Sequence, residues 1–272
     1  MPKGRLARAL LLLAALGTAA YLALREDPDP AADVAPAPPS TALPPLDPAI
    51  QALGAEVRRI RGPEAIAELR RRLDRRASTL ESDAEVEEKV RGAIDRLGAA
   101  IRTDPVVSTA LGGAVDRADA MAVFADDDPE ASLRYDALRG AIQIPRCAAE
   151  WPVDLLATAI GHELVHEADH RDVAAALGLS TEELALLMGD LAGSTRGRLH
   201  VIDLEDRALR VELRVARALG VALPSPDAVP TARPEAGCPM HPDDLLFTLA
   251  RLQAVERDRA AWSAALDRLF PP

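Results

Sequence analysis

Apolar residues recur along this chain with a helical step for most of its length. Leu53, Val57 and Ile60 follow one another at 3- and 4-residue intervals, and Ile66, Leu69 and Leu73 repeat the step. Val86, Val90, Ile94 and Leu97 share one face of a further helix opened by Ser82-Asp83. The pattern changes over residues 119–144. There "DAMAVF", "ASLRYD" and "GAIQIP" are short and apolar, separated by the turn-rich "ADDDPE" and "ALRG". This predicts a small antiparallel sheet of two or three strands. The acidic run Asp126–Asp128 fits a solvated hairpin turn better than a calcium site. Trp151-Pro152 opens a helix that runs to about Ala176 and ends at Gly178, and Ser180-Thr181-Glu182-Glu183 starts another. A third spans about Leu199 to Leu219. A Pro-rich loop at 223–242 precedes one last amphipathic helix, Asp243 to Phe270. The expected fold class is α+β and predominantly helical, with the small sheet packed on a central helix.

The amino terminus breaks this pattern. Lys3, Arg5 and Arg8 precede an unbroken apolar run from Ala9 to Leu24, closed by Arg25-Glu26-Asp27. As a helix the run spans about 24 Å, short of the roughly 30 Å hydrocarbon core, so it lies between a long signal-peptide core and a short membrane anchor. Positive charge ahead of it places the rest of the chain outside the cytoplasm, periplasmic or extracellular, with the inner membrane as anchor if the segment is kept. "DPDPAADVAPAPPSTALPPLD" then reads as a semi-rigid tether. The expected organisation is 1–25 signal or anchor, 26–48 linker, and 49–272 a single domain. Within that domain, 49–118 form a helical layer, 119–220 a core, and 221–272 a terminal loop and helix.

Charge narrows the partners. Residues 1–25 hold four of the 32 basic residues and no acidic one, so the remainder carries 28 basic against 43 acidic groups, a net of −15. Such a surface argues against nucleic acid. The two cysteines, Cys147 and Cys238, suit a disulfide in an exported protein. The alternative is a metal pair, because "CPMH" sets Cys238 and His241 at Cys-x-x-His spacing.

The chemistry lies in "AIGHELVHEADHRD", residues 159–172, where His-Glu-x-x-His occurs twice with His166 shared. Histidines four apart lie about 40° apart on a helix face, and the residue after the first sits about a quarter-turn aside, where its carboxylate can address a water held by a metal. His162–His166 is preceded by Leu155, Leu156 and Ile160 and encloses Leu164 and Val165. His166–His170 encloses Asp169 and runs into Arg171-Asp172, which reads as an exposed end. Gly161 marks a close approach in the helix interior. "IGHELVH" thus resembles the zinc metallopeptidases whose active-site helix carries this motif between apolar flanks. Glu167, directly after the second histidine, is a mild departure.

The resemblance implies a zincin-like fold, zinc as cofactor, His162 and His166 as ligands, and Glu163 as general base. It also implies an edge strand before the helix on which a peptide or protein substrate pairs, a place that "GAIQIP" occupies. For the third ligand it offers Asp172, six residues beyond His166, or a glutamate on a later helix as in the gluzincin class. "EDRA" and "ELRVA" supply Glu205 and Glu212, which are seven apart and share one face. Glu205 is expected on zinc with Glu212 orienting a histidine or arginine, and the reverse assignment stays open. Tyr135 and His200 are candidates to stabilise an oxyanion, and His170 is a candidate neighbour of the ligands. The expected activity is peptide-bond hydrolysis. The rivals are a partner-binding helical envelope protein and an inactive zinc-bound relative.

Overall fold

The structure, a computed structural model, describes residues 84–118, 123–126, 133–137, 140–191, 195–228 and 241–270. The amino-terminal run, the tether and the helices expected over 49–83 lie outside them. Among the described residues no helix is long and apolar enough to cross a membrane.

Two helices lead in. Helix α1, Ala84–Thr103, buries Val86, Val90, Ala93, Leu97 and Ala100, which extends the periodic face expected from the sequence. Helix α2, Pro105–Ala118, is one the apolar pattern leaves unassigned. Its start is nevertheless written in Asp104-Pro105. The Asp104 Oδ1 atom accepts from the Val106 and Val107 N–H groups at 2.8 and 3.2 Å, and proline at the first helical position gives up only a donor that has no partner there anyway.

Strands β1 (Val123–Asp126), β2 (Arg134–Asp136) and β3 (Ala141–Pro145) form one sheet in the order β1-β3-β2. The expected antiparallel pairing is that of β2 with β3, which sets Tyr135 opposite Ile142. Strand β1 adds in parallel on the other side, Val123 opposite Ile142. "GAIQIP" is therefore the central strand and not an edge, paired with β1 over Ile142–Pro145 and with β2 over Ala141–Gln143. The edge beside the helices belongs to β2.

A single 3-10 segment, Arg146–Glu150, leads into helix α3, Val153–Leu177. Gly178 ends α3 in the left-handed region at φ 61°, and the Leu179 N–H returns to the Ala174 carbonyl at 2.8 Å, a closure for which glycine is suited. Helix α4, Thr181–Leu191, opens with a reciprocal box in which Ser180 N–H donates to Glu183 and Glu183 N–H to the Ser180 hydroxyl. Helix α5 is Thr195–Ala218.

The terminal helix expected over 243–270 is in fact two, α6 (Pro242–Val255) and α7 (Arg259–Leu269). Asp258 caps α7 by accepting from the Ala261 N–H at 2.9 Å. The break lets Trp262, Ala265 and Leu266 turn back onto Leu209, Leu213 and Ala216 of α5.

Helix α3 is the centre of the molecule, packed by α1, α2, α4, α5 and β2. Leu155, Leu156, Ile160, Leu164 and Val165 are at most 2% exposed. Gly161 is where the packing is tightest. A Cβ there would meet Leu97 at 3.1 Å, Val215 at 3.5 Å and Leu111 at 3.8 Å. The close approach expected at this glycine is thus made by side chains of α1, α5 and α2, one residue before His162.

Candidate metal centre

Because α1, α2 and α5 close over Gly161, the next turn of α3 faces the side of α5 that carries two glutamates. His162 and His166 present their Nε2 atoms to one another at 3.0 Å, with ring centroids 4.8 Å apart. Glu205 lies across from both, one oxygen 3.3 Å from His162 Nε2 and the other 3.4 Å from His166 Nε2. These donors form the only group among the described residues with the spacing of a metal site. Three ligand atoms at about 2.0–2.1 Å from a tetrahedral zinc stand about 3.3–3.4 Å apart; each histidine Nε2 lies at about that distance from a different Glu205 oxygen, and the two Nε2 atoms, at 3.0 Å, are closer.

Glu212, 3% exposed, takes the other nitrogen of His162. Its carboxylate lies 2.9 Å from Nδ1. A carboxylate only accepts, so Nδ1 carries the hydrogen and Nε2 of the neutral ring is a bare electron pair. That electron pair, His166 Nε2 and the Glu205 carboxylate converge on one point, an arrangement that needs a cation. Without a metal, a proton on the ring takes the cation's place. Burial alone would lower His162, but Glu212 and Glu205 outweigh it and raise its pKa well above the ordinary imidazole value. Burial likewise opposes ionisation of Glu205, yet His166 and His162 pull its pKa far down. The donor set therefore fits zinc.

Glu163 stands beside this cluster. Burial raises its pKa above the usual carboxylate range, partly offset by His162, His166 and the N–H of Tyr135. That N–H donates to Glu163 Oε2 at 2.6 Å. Tyr135 thus addresses the site through its backbone, while its ring meets that of His170 edge-on, centroids 6.0 Å apart.

The remaining candidates fall elsewhere. His170 is not at an exposed end. It is partly buried, Nε2 is 2.9 Å from the Thr181 carbonyl, and burial lowers its pKa. Its nitrogen is committed to α4, so the overlapping second motif is not assembled. Asp169, expected on a charged surface, is fully buried and paired with Arg207 of α5. The reason lies in its position. Seven residues after His162, it falls on the same stripe of α3 as the two histidines. Asp172 is exposed beside Arg171 and outside the cluster. His200 lies on α5, and its side chain is outside the described residues, as are Asp127 and Asp128. Cys147 is disulfide-bonded and the chain has one other cysteine, Cys238, itself outside the described residues. His241 caps α6, with Nδ1 accepting from the Asp243 N–H at 3.2 Å.

Compared with known proteins, the chain matches no family model, no curated protein and no solved structure.

Proposed function

We propose that this chain is an exported zinc metallopeptidase that hydrolyses peptide bonds. The observation that carries the reading is the convergence of His162 Nε2, His166 Nε2 and the Glu205 carboxylate at 3.0, 3.3 and 3.4 Å, with a partly buried carboxylate one residue after the first histidine. Zinc held by these three residues would act as a Lewis acid, polarising a carbonyl and making a water acidic near neutral pH.

The chain's own residues supply the rest. Glu212 keeps the proton of His162 on Nδ1 and fixes the ring's orientation. Glu163, its pKa raised by burial, is poised to take a proton from water and return it to a leaving amine. The Tyr135 N–H holds Oε2 and leaves Oε1 for that transfer.

Strand β2 supports a peptide substrate. Tyr135 pairs antiparallel with Ile142, but its N–H points away from β3, toward Glu163. In such a pair the carbonyl of the same residue points the same way. The outer edge of β2 thus lies beside the metal centre, where an extended peptide would run. The basic and then apolar amino terminus supports export, with the tether carrying the domain away from the membrane.

Metal analysis and peptidase assay of the full chain beside Glu163→Gln test this reading. About one zinc per chain is expected in both, held by three protein ligands, with activity in the parent alone. A parent that takes up no zinc at neutral pH overturns the reading. Zinc in the parent without activity on any peptide leaves a metal-binding module in its place.

A further inference from the structure

Glu205 must arrive at the two histidines from another helix, so the site depends on how α5 is rotated about its own axis. Ala208, fully buried, lies in the core against α3. At about 100° per residue, Glu205 leaves α5 about 60° to one side of Ala208 and Arg207 about 100° to the other. The two side chains straddle the contact line. On one flank Glu205 reaches His162 and His166. On the other, Arg207 pairs with Asp169. A rotation of α5 that withdraws Glu205 breaks one flank or crushes the other.

We infer that the Asp169–Arg207 ion pair is a positioning device for the metal centre, locking the rotation of α5 so that the Glu205 carboxylate faces His162 and His166. The inference rests on the metal reading of that cluster. Two observations support it. The Asp169 side chain is 0% exposed and that of Arg207 only 10%. Neither Asp169 oxygen, nor Nε or Nη1 of Arg207, has a hydrogen-bond partner beyond the pair among the described residues. A buried pair with so little support is a poor source of stability, because desolvation offsets its attraction. Apolar replacement of both partners is often neutral or stabilising, whereas loss of one strands a buried charge. What the pair does supply is direction. A guanidinium fork and a carboxylate meet in few orientations, whereas apolar surfaces slide.

The double variant Asp169→Leu/Arg207→Met separates fold from site. Zinc Kd, from competition with a chromophoric chelator, and the thermal midpoint of the metal-free protein are measured for the full-length parent, the double variant and Asp169→Asn. The double variant is expected to keep or raise the metal-free midpoint while its zinc Kd weakens about tenfold or more, the range for removing an outer support of a metal ligand. Asp169→Asn, which leaves Arg207 uncompensated, is expected to lower the midpoint and to weaken zinc binding. An unchanged zinc Kd in the double variant overturns the inference while leaving the metal reading standing. Collapse of the metal-free double variant overturns it too, since the pair would then serve the fold and not the site. A parent without zinc removes both.

Discussion

Replacing Glu212 probes the centre without touching a metal ligand. In Glu212→Ala the Nδ1–H of His162, now bonded at 2.9 Å, loses its acceptor inside a wall where Glu212 itself is 3% exposed. A buried donor left unmade costs about 1–3 kcal/mol, and this part appears in the metal-free protein. A second cost appears only with metal. Freed from the carboxylate, the ring can turn and can place its hydrogen on Nε2, the atom that faces His166 and Glu205. Loss of such an outer partner weakens metal affinity by about 10–100-fold, or about 1.4–2.8 kcal/mol. Glu212→Gln retains an acceptor oxygen but not the charge, so it should recover orientation and much of the affinity. Urea unfolding of the chelated protein reads the first cost and competition titration with zinc reads the second. A parent-like zinc affinity in Glu212→Ala would refute the argument. So would a Gln variant as weak as the Ala variant, since charge alone, and not orientation, would then account for the effect.

Three further outcomes follow from the geometry. Gly161→Ala puts a methyl 3.1 Å from buried Leu97; overpacking of about 1–3 kcal/mol should outweigh the roughly 1 kcal/mol helix gain, and a raised thermal midpoint would show that Leu97 yields freely. Asp104→Ala removes the cap on Val106 and Val107 and the partner of Arg214, so urea titration should show a loss of about 0.5–2 kcal/mol with zinc stoichiometry unchanged. His170 has a folded pKa below its ordinary value because it is buried, so the unfolded chain binds the proton more readily. Its contribution is intact above the unfolded pKa of about 6.5 and is lost as pH falls through the lower folded value, so the chelated parent should lose stability over that window faster than His170→Gln; parallel pH profiles would exclude this.

How much of this was legible from residues alone depended on whether the decisive signal was local. The start of α2 is fully local, an Asp-Pro cap and first turn, and needs no long-range knowledge; the apolar pattern does not mark it because "PVVSTALGGAV" shows no clean apolar stripe. The break between α6 and α7 carries no glycine or proline, only Asp258 ahead of three residues of helix former. What turns the chain there is the seat for Trp262 on α5, where Arg210 lies over its ring and Asp206 accepts from its N–H. Such a seat becomes visible only once α5 and α7 are in contact. The parallel placement of β1 is likewise a tertiary fact, since a four-residue strand reads the same in either direction.

The doubled motif shows the same division within one helix. Spacing alone made His162–His166 and His166–His170 equivalent, and the charged residues of the second half suggested solvent. Asp169 disproves that simple equation of charge with exposure, because a carboxylate can be fully buried when a guanidinium from another helix meets it. The two halves differ instead in what each helix neighbour brings. Helix α5 brings two carboxylates to His162 and His166, one to each side of the first ring, whereas α4 brings only the Thr181 carbonyl to His170. A backbone carbonyl holds an imidazole in place but adds no charge to attract a cation, and it occupies Nε2 of His170. The shared histidine therefore belongs to the first motif because of residues some 40 positions downstream, and the glutamates seven apart on α5 were the part of that arrangement the sequence could display in advance.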